Sequence, residues 1–496
     1  MIFKPEKSKL WDTFILPYND RYYLFYLQCR EDYWDGYGLA ISDDLLHWQD
    51  FGTILDLGHA SGTGMVYRAD DQWVLSYCRI GVEGQKSHIC FAVSQDLFHW
   101  DKLPEGNNLY PDEQWYDAAF PGRTSSRFGD LWVERQADGS FYGFLTASKI
   151  NGPAGANGVI GMASSTDGLS WKALEPASNP CGMGWLEFGS HVEINGRHYA
   201  LVGSSSGLGR RFDSVYNSTG KAGGMYVMMA NQIEGPYEFA TGDNMILGCR
   251  NAPPNWAYVP TYYTRTLKLN NQILLHHHWM PRNNFTDAWL GTCKVLREDW
   301  PGKLSLNWWP GNEALKGNKI FDIVNRPCFT QPKSSELPTG GWCYCDKRLE
   351  LETDSSVLIY SDTRSFKKGI VVETCLRING DGAGGLFFGS ASLDADHPYE
   401  GMAFLCNTRG LAEFGAVTFG ICSPAFMVEN HVLWPVTQGK DVRIRLLVKE
   451  EFIEAYIDDR LVQCYGFSKP VDRYIGLFAE NCRIEVDLLN IYEFSI

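Results

Sequence analysis

The chain is sparing with charge and has no cluster of basic residues. Asp, Glu, Lys and Arg make up only 21% of its 496 residues, and acids outnumber bases for a net charge of −15. Without a basic run there is no electrostatic footprint for a polyanion, so nucleic acid is not an expected partner. No apolar run approaches the roughly 20 residues a membrane-crossing helix needs. The opening Met1-Ile2-Phe3-Lys4-Pro5-Glu6-Lys7-Ser8-Lys9-Leu10 has no apolar core of the signal-peptide kind. The expectation is a cytoplasmic protein with no membrane partner. Zinc-type cysteine spacing is missing too: of 14 cysteines, Cys343 and Cys345 form the one close pair, with a single residue between them. Free, mostly buried thiols are expected, and Asn217-Ser218-Thr219 and Asn284-Phe285-Thr286 then match a glycosylation acceptor by chance. Long amphipathic helical patterns are absent throughout.

What is abundant is aromatic residues and glycine: 14% Phe, Trp and Tyr, with 17 Trp and 50 Gly. That mixture suits turn-rich β folds and surfaces on which rings stack against sugars. The stretch Trp11-Asp12-Thr13-Phe14-Ile15-Leu16 turns at Asn19-Asp20 and returns as Tyr22-Tyr23-Leu24-Phe25-Tyr26. The pattern recurs with turns at Asp70-Asp71, Asp138-Gly139, Asn195-Gly196 and Asn270-Asn271. Such residues accept the positive φ of tight hairpins, so each copy predicts a β-hairpin, and five copies predict a repeat architecture. A second phrase closes the early units: Ser42-Asp43-Asp44-Leu45-Leu46-His47-Trp48, Ser94-Gln95-Asp96-Leu97-Phe98-His99-Trp100 and the looser Ser165-Thr166-Asp167-Gly168-Leu169-Ser170-Trp171. Its polar half reads as a turn and its Trp as an apolar plug. In the fourth unit Ala230 to Tyr237 takes its place.

Two hairpins per unit make a four-stranded sheet, and five such sheets close around an axis as a five-bladed β-propeller. Residues at the start of each innermost strand then converge at one end of the axial channel. The propeller is expected over 1–325, a linker over 326–340 where Pro, Gly and Ser cluster, and a C-terminal β-sandwich over 341–496 where short strands alternate with turns. The fold class is all-β.

Asp12 and Asp130 hold matching positions ahead of the inner strands of their blades, and Glu187 lies three residues ahead of Ser190, the matching position in the fourth. Trp11, Trp132 and Trp185 flank these acids. A lone Asp at a strand start commonly caps a turn; three acids in related register point to a shared funnel. Glycoside cleavage needs two carboxyl groups in different protonation states, and neighbouring carboxylates raise the third group's pKa.

With these residues in view, the first 310 positions resemble family 32 of the glycoside hydrolases, the β-fructofuranosidases, invertases and inulinases. The family's opening Asn-Asp-Pro-Asn-Gly reads here as Trp11-Asp12-Thr13, its Phe-Tyr-Gln as Phe25-Tyr26-Leu27-Gln28, and its Ser-Asp-Leu-x-His-Trp as Ser42 to Trp48. Its Phe-Ser-Gly-Ser looks like Ala60-Ser61-Gly62-Thr63-Gly64, its Arg-Asp-Pro like Gly129-Asp130-Leu131, and its Glu-Cys-Pro-Asp like Glu187-Phe188-Gly189-Ser190. Val442 to Phe467 is similar to the family's sandwich. The resemblance implies Asp12 as nucleophile, Asp130 as the group that holds sugar hydroxyls, and Glu187 as acid/base. It further implies sugar contacts for Gln28 and Ser61, with Arg127 in place of the missing Arg. The related family 43 shares the blades and three carboxylates, and inverts.

The remaining candidates are weaker. In His276-His277-His278-Trp279 neighbouring residues of a strand face opposite sides, so no metal site is expected, and His278 is taken as a hydroxyl donor facing the funnel. Trp34, Trp256 and Tyr258 are candidate sugar platforms or packing plugs; Tyr116, Asp117 and Arg123 are candidates for the rim. Gly207-Leu208-Gly209 lacks the strand-then-helix setting of a phosphate loop. The expected function is a retaining glycoside hydrolase on furanosides, β-fructofuranosides foremost, needing no cofactor. Asp12 and Glu187 are then expected roughly 5–6 Å apart. An inverting arabinofuranosidase-like enzyme, a fructosyltransferase and a non-catalytic sugar-binding propeller stay open, as does the oligomeric state, a homodimer included.

Overall fold

The structure is a computed structural model that describes all residues except 31–32, 82–85, 118–126, 154–155, 185, 205–222, 241–243, 250–260, 282–283, 285, 326–327, 332–339, 364, 390–399, 420–423 and 469–470. The chain divides into two compact units, with the main division between Leu306 and Asn307.

The first unit is built from the five hairpins. The first sheet runs β1 (Lys9–Tyr18), β2 (Arg21–Cys29), β3 (Trp34–Ser42), β4 (Gln49–Asp56). In the second, the inner edge is split into β5 (Ser61–Gly62) and β6 (Val66–Ala69), both paired with β7 (Gln72–Arg79), then β8 (His88–Ser94) and β9 (Asp101–Lys102). The third runs β10 (Phe128–Arg135), β11 (Phe141–Ser148), β12 (Gly158–Ser165), β13 (Trp171–Leu174). The fourth runs β14 (Glu187–Ile194), β15 (Arg197–Ser204), β16 (Gly223–Ala230), β17 (Glu238–Phe239), with β18 (Met245–Cys249) also on β16. The fifth begins β19 (Thr261–Leu269), β20 (Gln272–Trp279), and β20 pairs with both β21 (Trp289–Leu290) and β22 (Lys294–Trp300).

Each hairpin turns where the sequence places it, because the turn residues adopt the left-handed backbone: Asn19 (φ 49°), Asp20 (58°), Asp70 (48°), Asn195 (52°), Asn270 (52°) and Gly139 (90°). The sheets follow one another in a ring: β3 packs on β5, β7 on β10, β10 on β14, β14 on β19, and β19 back on β1. The N-terminal residues seal this closure, Leu290 donating its N–H to the Phe3 carbonyl and accepting from the N–H of Ile2.

The Ser-x-Asp phrase works as one repeated device. The serine hydroxyl accepts the N–H three residues on, at Leu45, Leu97 and Gly168 (2.9, 2.9 and 2.8 Å). Those three residues have φ of 66°, 71° and 75°, so the glycine in the loosest copy stands where the backbone is left-handed. The Trp indole then donates back to the same residue's carbonyl. Its ring plugs the gap to the preceding sheet: Trp100 meets Phe25 at 6.2 Å and Trp171 stacks on Phe91 at 6.4 Å. Tyr237, in the fourth sheet, packs edge-on against Phe144 of the third at 6.0 Å.

The second unit is the β-sandwich. Its 21-residue strand Tyr474–Phe494 pairs with Arg348–Asp362, Ile370–Asn379 and Ala383–Gly389, over a core that includes Leu358, Phe387, Leu405 and Phe478. Lys316–Asp322 pairs along the same strand, Phe321 opposite Ile491. That pairing draws residues after Asn307 into the second unit, ahead of the boundary expected at 325. Most of the expected linker, 326–340, lies outside the described residues.

Candidate active site

The acids owe their placement to irregularities at the inner strands. A bulge between Trp11 and Thr13 leaves Asp12 without a ladder partner, and a second between Gly129 and Trp132 does the same for Asp130. A bulged residue is re-aimed away from the alternation of its strand. Both acids sit at positive φ, 28° and 58°, a region that non-glycine residues avoid unless their surroundings impose it. In β14 the bulge falls at Gly189, between Phe188 and Ser190. A Cβ there would stand 2.6 Å from the Thr264 carbonyl oxygen, so that place admits no acid. The carboxylate stands instead at Glu187, at the head of the strand.

Asp12, Asp130 and Glu187 all line one cavity of about 220 Å³ within the first unit, together with Trp11, Trp34, Ser61, Cys78, Arg127, Thr146 and Tyr262. The three acids are intermediate in exposure, keeping part of their surface on the cavity. The break between β5 and β6 presents Thr63 to two of them: its hydroxyl donates to Oδ2 of Asp12 and its backbone N–H to Asp130. Oδ1 of Asp12 has no hydrogen-bond partner among the described residues. The Thr146 hydroxyl accepts from the Phe188 N–H at 2.7 Å and donates to Asp130, tying the third sheet to the strand that carries Glu187.

The three environments separate the acids chemically. Burial, and then the Asp130 charge, push Asp12 up to about 7, against the Thr63 hydroxyl and the Arg265 cation. Burial raises Asp130, opposed by the Thr146 hydroxyl, Arg127, Arg265 and the Thr63 N–H. Glu187 is raised well above the carboxylate range by burial and by the charges of Asp130 and Asp12, with only Arg127 to oppose them. Of the three it is the acid whose protonated form its surroundings favour with the least opposition.

Among the binding candidates, Trp11, Trp34, Ser61 and Arg127 line the cavity. Trp34 stacks on Trp11 at 5.4 Å between ring centres, a double aromatic wall. Gln28 does not reach the cavity: it is buried, and its amide exchanges hydrogen bonds with the Thr53 hydroxyl. His278 does not line it either. Its ring lies 4.5 Å from that of Trp11, where burial keeps it neutral and supports the indole from behind. His276 is bonded to the Thr13 hydroxyl at 3.1 Å, and His277 to the Lys294 ammonium at 2.9 Å, so the three histidines do take different partners. Tyr116 is packed inside, its hydroxyl on the Leu174 carbonyl, rather than on the rim. Trp185, Trp256, Tyr258 and Arg123 lie outside the described residues.

Two residues with no motif to announce them also belong here, Thr146 and Arg265, together with Thr63, which stood in the Ala60-Ser61-Gly62-Thr63-Gly64 match without a role of its own. Arg265 was visible only as a lone cation in the otherwise apolar and hydroxyl-bearing run Thr261-Tyr262-Tyr263-Thr264-Arg265-Thr266-Leu267. It is fully buried behind the acids. No helix among the described residues is long and apolar enough to cross a membrane.

No protein-family model matches the chain, and no curated protein matches it in sequence. Solved structures do match its fold. A GH32 β-fructofuranosidase of Bombyx mori in complex with sucrose superposes with a TM-score of 0.65 at 16% identity, over 96% of this chain and 89% of that one. Sucrose-6-phosphate hydrolase from Lactobacillus gasseri gives 0.60 at 15% identity, over 96% and 89%. Fructan 1-exohydrolase IIa from Cichorium intybus gives 0.60 at 13% identity, over 99% and 96%. The propeller-then-sandwich fold of this chain is therefore the GH32-like one, along nearly its whole length.

Proposed function

We propose that the chain is a retaining glycoside hydrolase acting on furanosides, with β-fructofuranosides first among them. The observation that carries this reading is the cavity that three carboxyl groups line together, one, Glu187, drawn toward its protonated form by burial and neighbouring charge, and one, Asp12, presenting an oxygen with no partner among the described residues. The fold shared with enzymes of sucrose and fructan chemistry agrees with it.

In the first step Oδ1 of Asp12 attacks the anomeric carbon while the glycosidic C–O bond breaks. The bonding pair leaves with the glycosidic oxygen, which takes the proton of Glu187. Asp130, whose carboxylate form its hydrogen-bond donors and two arginines favour against its burial, binds ring hydroxyls and stabilises the oxocarbenium-like state. In the second step the Glu187 carboxylate takes a proton from water, whose oxygen bonds to the anomeric carbon and releases Asp12. The Trp11–Trp34 pair offers an apolar face to the sugar ring. A wall of acids and indoles suits neutral sugars, since a phosphate would meet like charge.

The test is incubation with sucrose, 1-kestose, inulin and aryl arabinofuranosides, following the first-formed anomer by NMR. Release of fructose in the β configuration supports the reading. An inverted product points to the family 43 type, transfer to a second sugar to a fructosyltransferase, and binding without release to a sugar-binding propeller. Asp12→Asn and Glu187→Gln are each expected to lower kcat by about three orders of magnitude or more with the fold intact.

A further inference from the structure

Arg265 is a charged group of the propeller with no part in the bond-making above. It follows the bulge between Tyr262 and Arg265 in β19 and has no exposed surface. Its guanidinium carbon lies 5.2 Å from the centre of the Trp132 ring and 5.1 Å from that of Tyr263, so rings of the third and fifth sheets hold it in place. Nη2 donates to the Tyr263 hydroxyl at 3.0 Å and lies 3.5 Å from the Gly64 carbonyl of the second sheet; Nε and Nη1 have no hydrogen-bond partner among the described residues. Residues of three sheets thus surround this cation.

A guanidinium does not give up its proton, and burying one with no anion in contact is costly unless a nearby field compensates. Gly64, whose carbonyl lies 3.5 Å from Nη2, directly follows Thr63, the residue bonded to both Asp12 on β1 and Asp130 on β10, and the Arg265 charge acts on these two carboxyl groups. Glu187, on β14, has Arg127 among its opposing charges but not Arg265. The remaining titratable groups around Arg265 and Asp12 are Tyr37 on β3, Tyr263 on β19 and His276 on β20, all kept neutral by burial. Among the described residues two cations therefore stand against three acids, so two ionised carboxylates and one protonated carboxyl balance the charge.

Resting on the hydrolase reading, we propose that Arg265 is a positioning residue for that reaction: from behind the cavity its fixed charge offsets the burial that favours the acid form of Asp12, so that Asp12 ionises ahead of Glu187. Acting without contact is what makes this useful. A guanidinium bonded to Asp12 would occupy the lone pairs that attack, whereas one acting through the low-dielectric core stabilises the charge and leaves Oδ1 unpartnered.

Arg265→Met keeps a long side chain between the two rings and removes the charge; Arg265→Lys keeps the charge. Two readouts are taken: the pH dependence of kcat/KM, and the titration of Asp12 by 13C NMR with aspartate labelled at Cγ, assigned through Asp12→Asn. The expected result for Arg265→Met is an upward move of about one pH unit or more in both the Asp12 midpoint and the acidic limb, with KM within about threefold. Arg265→Lys is expected to recover most of that shift. A folded Arg265→Met with an unmoved midpoint and limb overturns the proposal, leaving Arg265 as packing alone. If the methionine variant does not fold, Arg265→Gln is titrated against the same two outcomes. Should the unmodified protein cleave no glycoside, the hydrolase reading falls by itself, and the NMR midpoint still decides whether Arg265 sets the charge of Asp12.

Discussion

Thr63 gives its hydroxyl hydrogen to Oδ2 of Asp12, and by doing so it differentiates the two oxygens of that carboxylate: one is held, the other is left without a partner. A hydrogen bond to a charged group is worth about 1.5–3 kcal/mol. Thr63→Val, which keeps the shape and removes the donor, is expected to lower kcat about ten- to a hundredfold. The acidic limb of the kcat profile should also move upward, because the bond favours the ionised form. Steady-state kinetics across pH check this; a variant with an unchanged profile would separate Thr63 from the chemistry.

In the proposed mechanism Asp12 must be ionised to attack, and its pKa is pushed up to about 7. Activity is therefore expected to rise with pH through about 7 and to decline at higher pH as Glu187 loses its proton. Stability should move the opposite way. A carboxyl whose folded pKa exceeds its unfolded 3.8 favours the folded state while protonated, and that advantage is lost as pH rises through the folded value. Asp12→Asn, which cannot ionise, is expected to melt a few degrees above the unmodified protein at pH 8 and close to it at pH 4. Calorimetry at the two pH values measures the difference.

Trp34 stacks on Trp11 inside the cavity and has part of its surface exposed. As a sugar platform it contributes to ground-state and transition-state binding alike. Trp34→Ala is expected to raise KM about tenfold with kcat changed less than threefold. A large loss in kcat with KM unchanged would assign the ring to orienting the acids instead.

Glu298 of β22 accepts from Nε and Nη2 of Arg197, both at 2.7 Å, and from the Tyr199 hydroxyl, so it clasps the fourth hairpin to the fifth sheet. The hydrogen bond from Arg197, first of all, holds Glu298 down to about 2. A carboxyl lowered in this way stabilises the fold above its unfolded pKa of 4.5 and loses that contribution as pH falls through about 2. Glu298→Gln is expected to lower Tm by several degrees at pH 7, and by progressively less below pH 4. Thermal melts over that range test the sign as well as the size.

The hairpins were legible because their signals are local. Asn19-Asp20 and Asn195-Gly196 carry turn chemistry that acts over two residues, and Ser42, Asp44 and Trp48 form their bonds within one short loop. The three acids were legible for a related reason: they stand at strand starts, and a closed ring brings strand starts together. Gln28 and His278 were misplaced because residues facing one side of a strand can still differ in depth. Gln28 ended against Thr53 in its own sheet, and His278 behind the Trp11 ring rather than in front of it.

The amino-acid sequence alone determined the repeat, the turns and the candidates, since all of these depend on neighbours a few residues apart. The tertiary structure decided the chemistry of each candidate. Which acid is drawn furthest toward its protonated form depends on the fields of Arg127 and Arg265 and on donors at Thr63 and Thr146; Thr63 and Arg265 come to Asp12, and Arg127 to Glu187, from other sheets across dozens to hundreds of positions. A pKa is set by distance and burial in space, and neither has a short-range trace along the chain.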